Sequence, residues 1–276
     1  MPELPEVETV RRGLALALEG KRLARVEVRR PDLRRPFPAR FAERLKGRRV
    51  QAFRRRAKYL LIRLDSDEDW LIHLGMSGRM LVGQGWPNEL DPQDHVVVGA
   101  EDGTVVRFND ARRFGVMDLM KAADTDAHPL ICGIGPEPLE DTFDGPALAA
   151  RLAGKSAPIK AALLDQRVVA GIGNIYASEA LFRAGISPTR ESGTVTGARA
   201  DKLVAAVKSV LAEAIEAGGS SLRDHRQTSG ELGYFQHSFA VYEREGERCP
   251  TCRSKSGIRR LVQSGRSTFY CAKCQR

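Results

Sequence analysis

Four of the five cysteines in this 276-residue chain lie in two pairs near its carboxyl end. Cys249 and Cys252 form one Cys-x2-Cys pair, and Cys271 and Cys274 form a second pair after 18 intervening residues. Each pair can present two thiolates from one tight turn, and two such pairs complete a tetrahedral zinc site. Because four thiolates leave no open coordination position, we expect one structural zinc ion at this site.

The segment between the cysteine pairs predicts a β-hairpin, with strands over residues 258–262 and 267–270 and a turn over 263–266. A two-stranded hairpin is barely stable alone, so zinc binding would supply the missing folding free energy. The turn directs Arg266 outward, where it suits a phosphate or a groove. The remaining cysteine, Cys132, is expected to be a small buried apolar residue.

The charge of the chain indicates a polyanionic partner. The net charge is +9, and residues 246–276 contain eight basic side chains and one acid, Glu247. Such a cluster could be a solvated basic tail. Disordered tails are poor in Cys, Phe and Tyr, which this segment contains, so a folded basic module is the better interpretation.

Length and composition predict a globular protein of two domains that does not span a membrane. The hydrophobic content is 42%, and the longest apolar runs, such as residues 14–18 and 203–207, are too short to cross a bilayer. Acidic Glu3, Glu6 and Glu8 occupy the place of a basic signal-peptide segment. We therefore expect an intracellular protein whose cysteines bind metal rather than form disulfides.

Hydrophobic patterns predict an α+β fold. Residues 7, 10 and 14 have helical spacing, and the short strand-like segments that follow favour an antiparallel β-sandwich. These segments are residues 23–28, 50–53, 59–64, 70–74, 95–98 and 104–108. Helical periodicity then appears, clearest over 200–217. We expect a sandwich domain with an N-terminal helix (1–130), a linker (131–142), a helical domain (143–240) and a zinc hairpin (241–276).

The chain opens Met1-Pro2-Glu3-Leu4-Pro5-Glu6, which allows two interpretations. Removal of Met1 would make Pro2 a terminal secondary amine, a nucleophile that forms an iminium with a sugar carbon. Glu3 and Glu6 could then move protons beside it. Alternatively, the segment simply begins a helix, since proline and acids suit a first turn. Taken alone, this segment favours the helix start.

Residues 164–179 predict a helix that ends near Gln166, two turns, and a new helix that begins with Asn174 as its N-cap. Exposed amides at that helix start would suit a DNA phosphate. A plain helical hairpin is the alternative. Although Gly171 and Gly173 suggest a dinucleotide loop, no strand precedes them and the third glycine is missing, which excludes that interpretation.

Seven segments together resemble the bacterial formamidopyrimidine-DNA glycosylases of the formamidopyrimidine-DNA glycosylase/endonuclease VIII family. They are residues 2–6, 56–61, 73–78, 112–115, 164–179, 218–224 and 264–271. The resemblance runs nearly end to end. It implies a β-sandwich with an N-terminal helix, a helix–two-turn–helix domain and a zinc-bound hairpin. Leu4, Met76 and the Arg112–Phe114 segment favour the oxidised-purine enzymes over the oxidised-pyrimidine enzymes resembling endonuclease VIII.

The resemblance implies a bifunctional DNA glycosylase and abasic-site lyase. Pro2 would attack C1′ of the damaged nucleotide, Glu3 would be the general acid–base, and Glu6 would support the sugar side of the pocket. The resulting Schiff base would lead to β- and δ-elimination. Lys58 would assist elimination while it holds a phosphate, and Arg266 would bind the flanking phosphate and assist the second elimination.

The resemblance also implies the DNA contacts. Three side chains would fill the space left by the extruded base: Met76, Arg112 and Phe114. Four would contact the DNA backbone: His73, His95, Lys155 and Asn174. The implied partner is double-stranded DNA with oxidised bases or abasic sites, bound by a monomer in the bacterial cytoplasm at the nucleoid. A recognition loop is expected within residues 220–236.

Two other classes of protein stay open at this point. A non-catalytic zinc-ribbon DNA-binding protein would use the same basic hairpin, but it would not need a free Pro2. A structural interaction protein would account for the sandwich but not for the basic hairpin.

Overall fold

The computed structural model describes residues 2–221 and 227–276 of the chain, which form two compact units. The sandwich unit contains Met1–Cys132 and Ala217–Gln236, and the helical unit contains Gly133–Glu216 and His237–Arg276. Met1 and residues 222–226, which include part of the expected recognition loop, lie outside the described residues. Within the described ranges, every helix is too short or too polar to cross a membrane.

The sandwich unit begins with helix α1 (Leu4–Leu18) and continues into two four-stranded antiparallel sheets. The first sheet has the order β1-β6-β7-β5, and the second has the order β2-β3-β4-β8. The strands are β1 (Leu23–Val28), β2 (Val50–Arg56), β3 (Tyr59–Leu64), β4 (Glu68–His73), β5 (Arg79–Gln84), β6 (Asp94–Ala100), β7 (Thr104–Asn109) and β8 (Val116–Lys121). A short helix α2 (Phe41–Leu45) precedes β2, and a 3-10 helix (Ala122–Ala127) follows β8.

One apolar core joins α1 to both sheets. Val7, Val10 and Leu14 recur at helical spacing and are almost fully buried. They share a cluster with inward residues of both sheets, such as Ile62 on β3 and Val98 on β6. The alternation along each strand therefore places the apolar side chains between the sheets, as a sandwich requires.

The expected α+β fold and N-terminal sandwich are confirmed. All six expected strands are present, although two further strands, β5 and β8, escaped the sequence analysis. In β5, Met80 is buried between less buried neighbours, and the strand is a short segment just after Gly78. In β8, Asp118 interrupts the apolar run. Pairing with β7 and β4, rather than local sequence, determines that these segments are strands.

The helical unit contains α3 (Gly145–Leu152), α4 (Ile159–Leu164), α5 (Asn174–Ala184) and α6 (Ala198–Glu216). Asp144 caps α3, because its Oδ1 accepts the Ala147 amide at 2.8 Å. Helix α6 buries Leu203, Val207 and Val210 on one face, and it coincides closely with the expected helix. A short 3-10 helix (Ser192–Thr194) lies between α5 and α6, and a second (Phe235–Ser238) follows α6.

The expected zinc hairpin is present as β9 (Arg259–Gln263) and β10 (Arg266–Tyr270). Its two turn residues, Ser264 and Gly265, both have positive φ (49° and 74°), as a tight hairpin turn requires. Cys132 lies outside this module and is exposed, so the expectation that it is buried was wrong. The apolar side chain that the adjacent turn buries is Ile131 instead.

Candidate functional site

The first turn of α1 places the candidate nucleophile and acids inside the sandwich unit. Pro2 is buried, and Glu3 and Glu6 are 3% and 1% exposed. The helix starts here because Glu3 occupies the N-cap and Pro5 fits the first turn. The Glu3 amide donates to Glu6 Oε2 at 2.8 Å, which is half of a capping box. The residues of the opening motif therefore begin a helix directly after the buried Pro2.

Glu6 makes a second contact that sequence reasoning missed. Its Oε1 accepts the Ser220 amide at 2.8 Å and the Ser220 hydroxyl at 3.0 Å, across 214 positions of sequence. Gly219 adopts φ +80°, and a Cβ there would lie 3.0 Å from Glu6 Oε1. Glu6 therefore connects α1 to the start of the expected recognition loop, in addition to any role toward a sugar.

Lys58 lies in the two-residue turn between β2 and β3, after Ala57 with φ 51°. It is 7% exposed, and its charge acts on His73 of β4. Burial first, then the positive charges of Lys58 and Arg34, lower the pKa of His73 to about 4. His73 Nδ1 accepts the Gly75 amide at 3.0 Å, so the neutral ring carries its proton on Nε2. At pH 7, His73 is therefore an uncharged donor.

A cavity of about 520 Å³ brings together four of the seven expected DNA contacts. His73, Met76, Arg112 and Phe114 all line it, and Arg34 adds a further positive charge. Met76 and Phe114 are 37% and 41% exposed, unusual for large apolar side chains. Arg112 Cζ lies 4.9 Å from the centre of the Phe114 ring, within cation–π range. This surface thus combines exposed apolar side chains with positive charge.

His95 differs from these four residues. It is 4% exposed on β6, and its Nε2 lies 2.8 Å from the Asp110 carbonyl oxygen. It is absent from the lining of the cavity. Its expected contact with the DNA backbone remains a prediction.

In the helical unit, Asn174 is the first residue of α5, and Gly173 is the N-cap, so the expected capping role was wrong. The Asn174 side chain makes hydrogen bonds to other parts of the helical unit instead. Its Oδ1 accepts Lys160 Nζ at 2.6 Å, and its Nδ2 donates to the Ser267 carbonyl at 2.9 Å. Asn174 therefore connects the start of α5 to strand β10 of the zinc hairpin.

The lysine that contacts Asn174 is Lys160, which the sequence analysis did not single out, and the expected contact of Lys155 with the DNA backbone remains a prediction. Lys160 is 1% exposed, and its Nζ also donates to the Ser267 carbonyl at 2.9 Å and to Thr268 Oγ1 at 2.7 Å. Lys155 is exposed, and its backbone carbonyl accepts from the Gly193 amide. In the sequence, the signal for this buried contact was the position of Lys160 within the apolar run of α4.

Gln166 organises the two turns between α4 and α5. Its Oε1 accepts the Gly171 amide at 2.8 Å, and its Nε2 donates to the Ile172 carbonyl at 2.9 Å. The Gly135 amide donates to the Gln166 carbonyl at 2.8 Å. A side-chain amide thus satisfies backbone groups that the irregular turns leave without helical partners.

The four paired cysteines have the geometry of a zinc site. All four sulfur atoms lie within 4.8 Å of one another, with Cys249–Cys274 at 3.7 Å and Cys252–Cys271 at 3.6 Å. Zinc–sulfur bonds of about 2.3 Å at tetrahedral angles imply sulfur separations of about 3.8 Å. Four sulfur ligands therefore fit a closed, structural zinc ion. Nearby, Arg266 is the exposed first residue of β10, opposite Gln263.

Three family profiles match successive parts of the chain. The formamidopyrimidine-DNA glycosylase N-terminal domain matches residues 1–117, and the H2TH domain of the same proteins matches residues 134–226. The zinc finger found in FPG and IleRS matches residues 246–276. The chain belongs to the formamidopyrimidine-DNA glycosylase family. It is a DNA-binding repair glycosylase for damaged bases that contains a zinc finger, and the resemblance seen in the sequence is confirmed.

Relatives of known family support the assignment over the whole length. Formamidopyrimidine-DNA glycosylases of Rhodospirillum centenum and Ruegeria pomeroyi are 59% and 58% identical, with full coverage of both chains in each case. The crystal structure of MutM (Fpg) from Thermus thermophilus is 41% identical, with a TM-score of 0.86 and coverage of 99% of this chain and 98% of that chain. A point mutant of Lactococcus lactis Fpg in complex with Fapy-dG-containing DNA is 32% identical, with full coverage of both chains and a TM-score of 0.91.

Proposed function

We propose that this glycosylase excises oxidised purines, namely 8-oxoguanine and formamidopyrimidines, through a Pro2 Schiff base and then cleaves the abasic strand. The observation that carries the proposal is the buried start of α1, where Glu3 and Glu6 adjoin Pro2 in one hydrogen-bonded turn. Solved relatives in complex with Fapy-dG-containing and abasic-site DNA support the choice of substrate.

Pro2 reacts after Met1 is removed, because only then is its nitrogen an amine. A terminal amine titrates near about 7.7–8.0 and a lysine near about 10.4, so far more of the terminal amine is neutral at physiological pH. The Pro2 nitrogen bonds to C1′ as the bond from C1′ to the base breaks, and Glu3 exchanges protons with the sugar or base. The departing base keeps the bonding electrons and gains a proton.

The attacking amine loses its proton, and the C1′–O4′ bond then breaks as O4′ is protonated, which opens the sugar ring and leaves a C1′ iminium. This iminium acidifies the C2′ proton. Loss of that proton expels the 3′ phosphate by β-elimination, and a second elimination expels the 5′ phosphate. In this proposal Lys58 and Arg266 hold the flanking phosphates and assist these steps. Glu6 supports the sugar side of the pocket while it holds Ser220.

The cavity in the sandwich unit is the proposed contact with the duplex. Met76, Arg112 and Phe114 would occupy the space of the extruded base, with apolar wedges that offset the cost of unstacking. His73 would donate Nε2–H to a phosphate.

We further propose that His95, Lys155 and Asn174 contact the DNA backbone, and that the protein is a cytoplasmic monomer associated with the nucleoid. We likewise propose that the domain boundaries lie at residues 130, 142 and 240.

Borohydride trapping tests the chemistry directly. The protein is incubated with a duplex containing 8-oxoguanine opposite cytosine, reduced, digested and analysed by mass spectrometry, and we expect a DNA adduct on Pro2. A matched control carries extra residues before Pro2, which turn its nitrogen into an amide and should abolish the adduct. Glu3→Gln should lose base excision but still trap a preformed abasic site.

Two results would contradict the proposal. If intact mass shows that Met1 is removed but no adduct forms, Pro2 is not the nucleophile. If a duplex with an oxidised pyrimidine is processed faster than the 8-oxoguanine duplex, the protein has the specificity of the endonuclease VIII branch.

A further inference from the structure

The loop between β7 and β8 closes around one buried carboxylate. Asp110 is fully buried, and its Oδ2 accepts the Gly115 amide at 2.8 Å. Its Oδ1 accepts the Ser77 hydroxyl at 2.5 Å and, more weakly, the Arg112 amide at 3.3 Å. The two ends of the loop that carries Arg112 and Phe114 are therefore fastened to the same side chain.

Ser77 extends this connection to the segment that carries Met76. Its hydroxyl, 4% exposed, donates to Asp110 and accepts the Arg112 amide at 3.1 Å. Close backbone packing supports the same junction. Gly75 has φ +67°, and a Cβ at this residue would lie 2.4 Å from the Phe114 carbonyl carbon. The segments 75–77 and 110–115 are therefore joined side by side.

The loop holds a conformation that it would not adopt freely. Arg113 has φ 56°, an unfavourable value for a non-glycine residue that costs about 1 kcal/mol or more. Met76 and Phe114 stay partly exposed rather than packing into the core. Such an arrangement persists only if neighbouring contacts fix it, and the buried Asp110 and Ser77 supply those contacts.

We propose that Ser77 and Asp110 are positioning residues that hold Met76, Arg112 and Phe114 together as one preformed wedge. A wedge that is ordered before DNA binds avoids an entropy cost at the moment of base extrusion. The inference rests on the proposed function, because it assigns a use to the cavity of that site. It predicts that the two residues matter only when a base must leave a duplex stack.

The experiment compares two substrates that differ in this requirement. A duplex with 8-oxoguanine leaves an orphaned base after extrusion, whereas a single strand with an abasic site has no orphaned base and no void to fill. We expect Ser77→Ala and Asp110→Asn to slow single-turnover excision from the duplex by about tenfold, the effect of one lost charge-assisted hydrogen bond. Cleavage of the single strand should stay within about twofold of wild type.

A matched control and a binding measurement separate positioning from general damage. Ser66 also donates its hydroxyl to a carboxylate, that of Glu68 at 3.2 Å, but this pair lies at the start of β4 and outside segments 75–77 and 110–115, so Ser66→Ala should change neither rate. Fluorescence of 2-aminopurine opposite a stable abasic analogue reports wedge insertion without chemistry. The insertion signal should weaken in both variants, and the double variant should lose no more than the stronger single variant.

The outcomes distinguish the inference from the function beneath it. Equal losses on duplex and single strand, or no loss on either, would overturn the wedge inference. If Asp110→Asn fails to fold, the milder Ser77→Ala decides by the same comparison. If the wild-type protein cleaves neither substrate, the proposed function fails, and the 2-aminopurine signal still decides whether Ser77 and Asp110 position the wedge.

Discussion

The start of α1 and the zinc hairpin each present a proposed functional side chain, but different forces hold them. Pro2 lies at the end of a helix whose apolar face is part of a core shared with two sheets. Arg266 lies on a two-stranded hairpin. Among the described residues, the cluster beneath that hairpin consists of Phe182, Val241, Ile258, Phe269 and the zinc ligands Cys249 and Cys271.

This difference shows that a large apolar core can hold a functional side chain in place, whereas a small apolar cluster also needs a metal ion or buried polar contacts. Each fully buried aliphatic side chain contributes about 1.5–3 kcal/mol, so the sandwich core can fix α1 without a metal. The small hairpin cluster cannot do the same, and zinc together with the buried Lys160 replaces the missing core.

Zinc removal should therefore show the largest difference in stability between the two regions. Chelation, or Cys271→Ser, should unfold the hairpin and lower the affinity for abasic-analogue DNA on the order of 100-fold. The sandwich should remain folded. Both tryptophans, Trp70 and Trp86, belong to the sandwich unit, so their fluorescence reports that unit alone.

The control for this experiment is Cys132→Ser, which removes an exposed thiol outside the zinc site and should leave DNA affinity unchanged. The salt dependence of binding adds a second readout, because each lost phosphate contact lowers the slope of log K against log salt by about 0.9. If chelation also shifts the tryptophan unfolding transition, the two regions do not have separate sources of stability.

Lys160→Met tests the buried hydrogen bonds that Lys160 makes in the helical unit. The change leaves three acceptors (Asn174 Oδ1, the Ser267 carbonyl and Thr268 Oγ1) without their shared cationic donor. We expect a loss of about 2–3 kcal/mol in the stability of the helical unit, since hydrogen bonds to buried charges are strong. Faster loss of zinc to a chelator would reveal this loss of stability.

Lys155→Met is the matched control, because this lysine is exposed, and its loss should change stability by less than about 0.5 kcal/mol. Equal rates of zinc loss in the two variants would show that the Lys160 contacts do not hold the hairpin.

The same contrast explains what the sequence could predict. Cysteine spacing and alternating apolar residues are local signals, so the zinc ligands and six of the strands were predicted correctly. The contact between Glu6 and Ser220 spans 214 positions, and no local pattern contains it. Likewise, the contact between Lys160 and Asn174 depends on the packing of α4 against α5, which no local pattern contains.

Glu6→Gln tests the polar connection between the start of α1 and Ser220. Both carboxylate oxygens accept protein donors, and an amide offers only one acceptor oxygen. One of the bonds to Glu3 or Ser220 must therefore be lost, at about 1–2 kcal/mol in the tryptophan-monitored unfolding free energy.

Ser220→Ala keeps the backbone bond and removes only the hydroxyl contact, so it should cost less, about 0.5–1 kcal/mol. If Glu6→Gln is as stable as wild type, then the bonds of Glu6 do not position α1, and the two regions differ even more in their dependence on buried polar contacts.

The effect that is smallest at neutral pH concerns the sandwich unit alone, because it grows only as the pH falls. Burial and the charges of Lys58 and Arg34 lower the pKa of His73 to about 4, below the value of about 6.5 expected in an unfolded chain. Between these values the unfolded chain binds a proton that the folded protein does not. Stability must therefore fall as pH decreases from about 6.5 to about 4, with a slope of up to roughly 1 kcal/mol per pH unit from this group.

His73→Gln should remove that slope from the tryptophan-monitored unfolding free energy. Carboxylates such as Asp69, whose pKa arginine contacts hold low, also lose stabilising charge in acid, but they are common to both proteins and cancel in the difference. A difference that stays constant between pH 4 and 6.5 would mean that His73 is solvated in the folded protein. Its ring would then become protonated well above pH 4, and His73 would approach a phosphate as a cation rather than as the neutral donor described here.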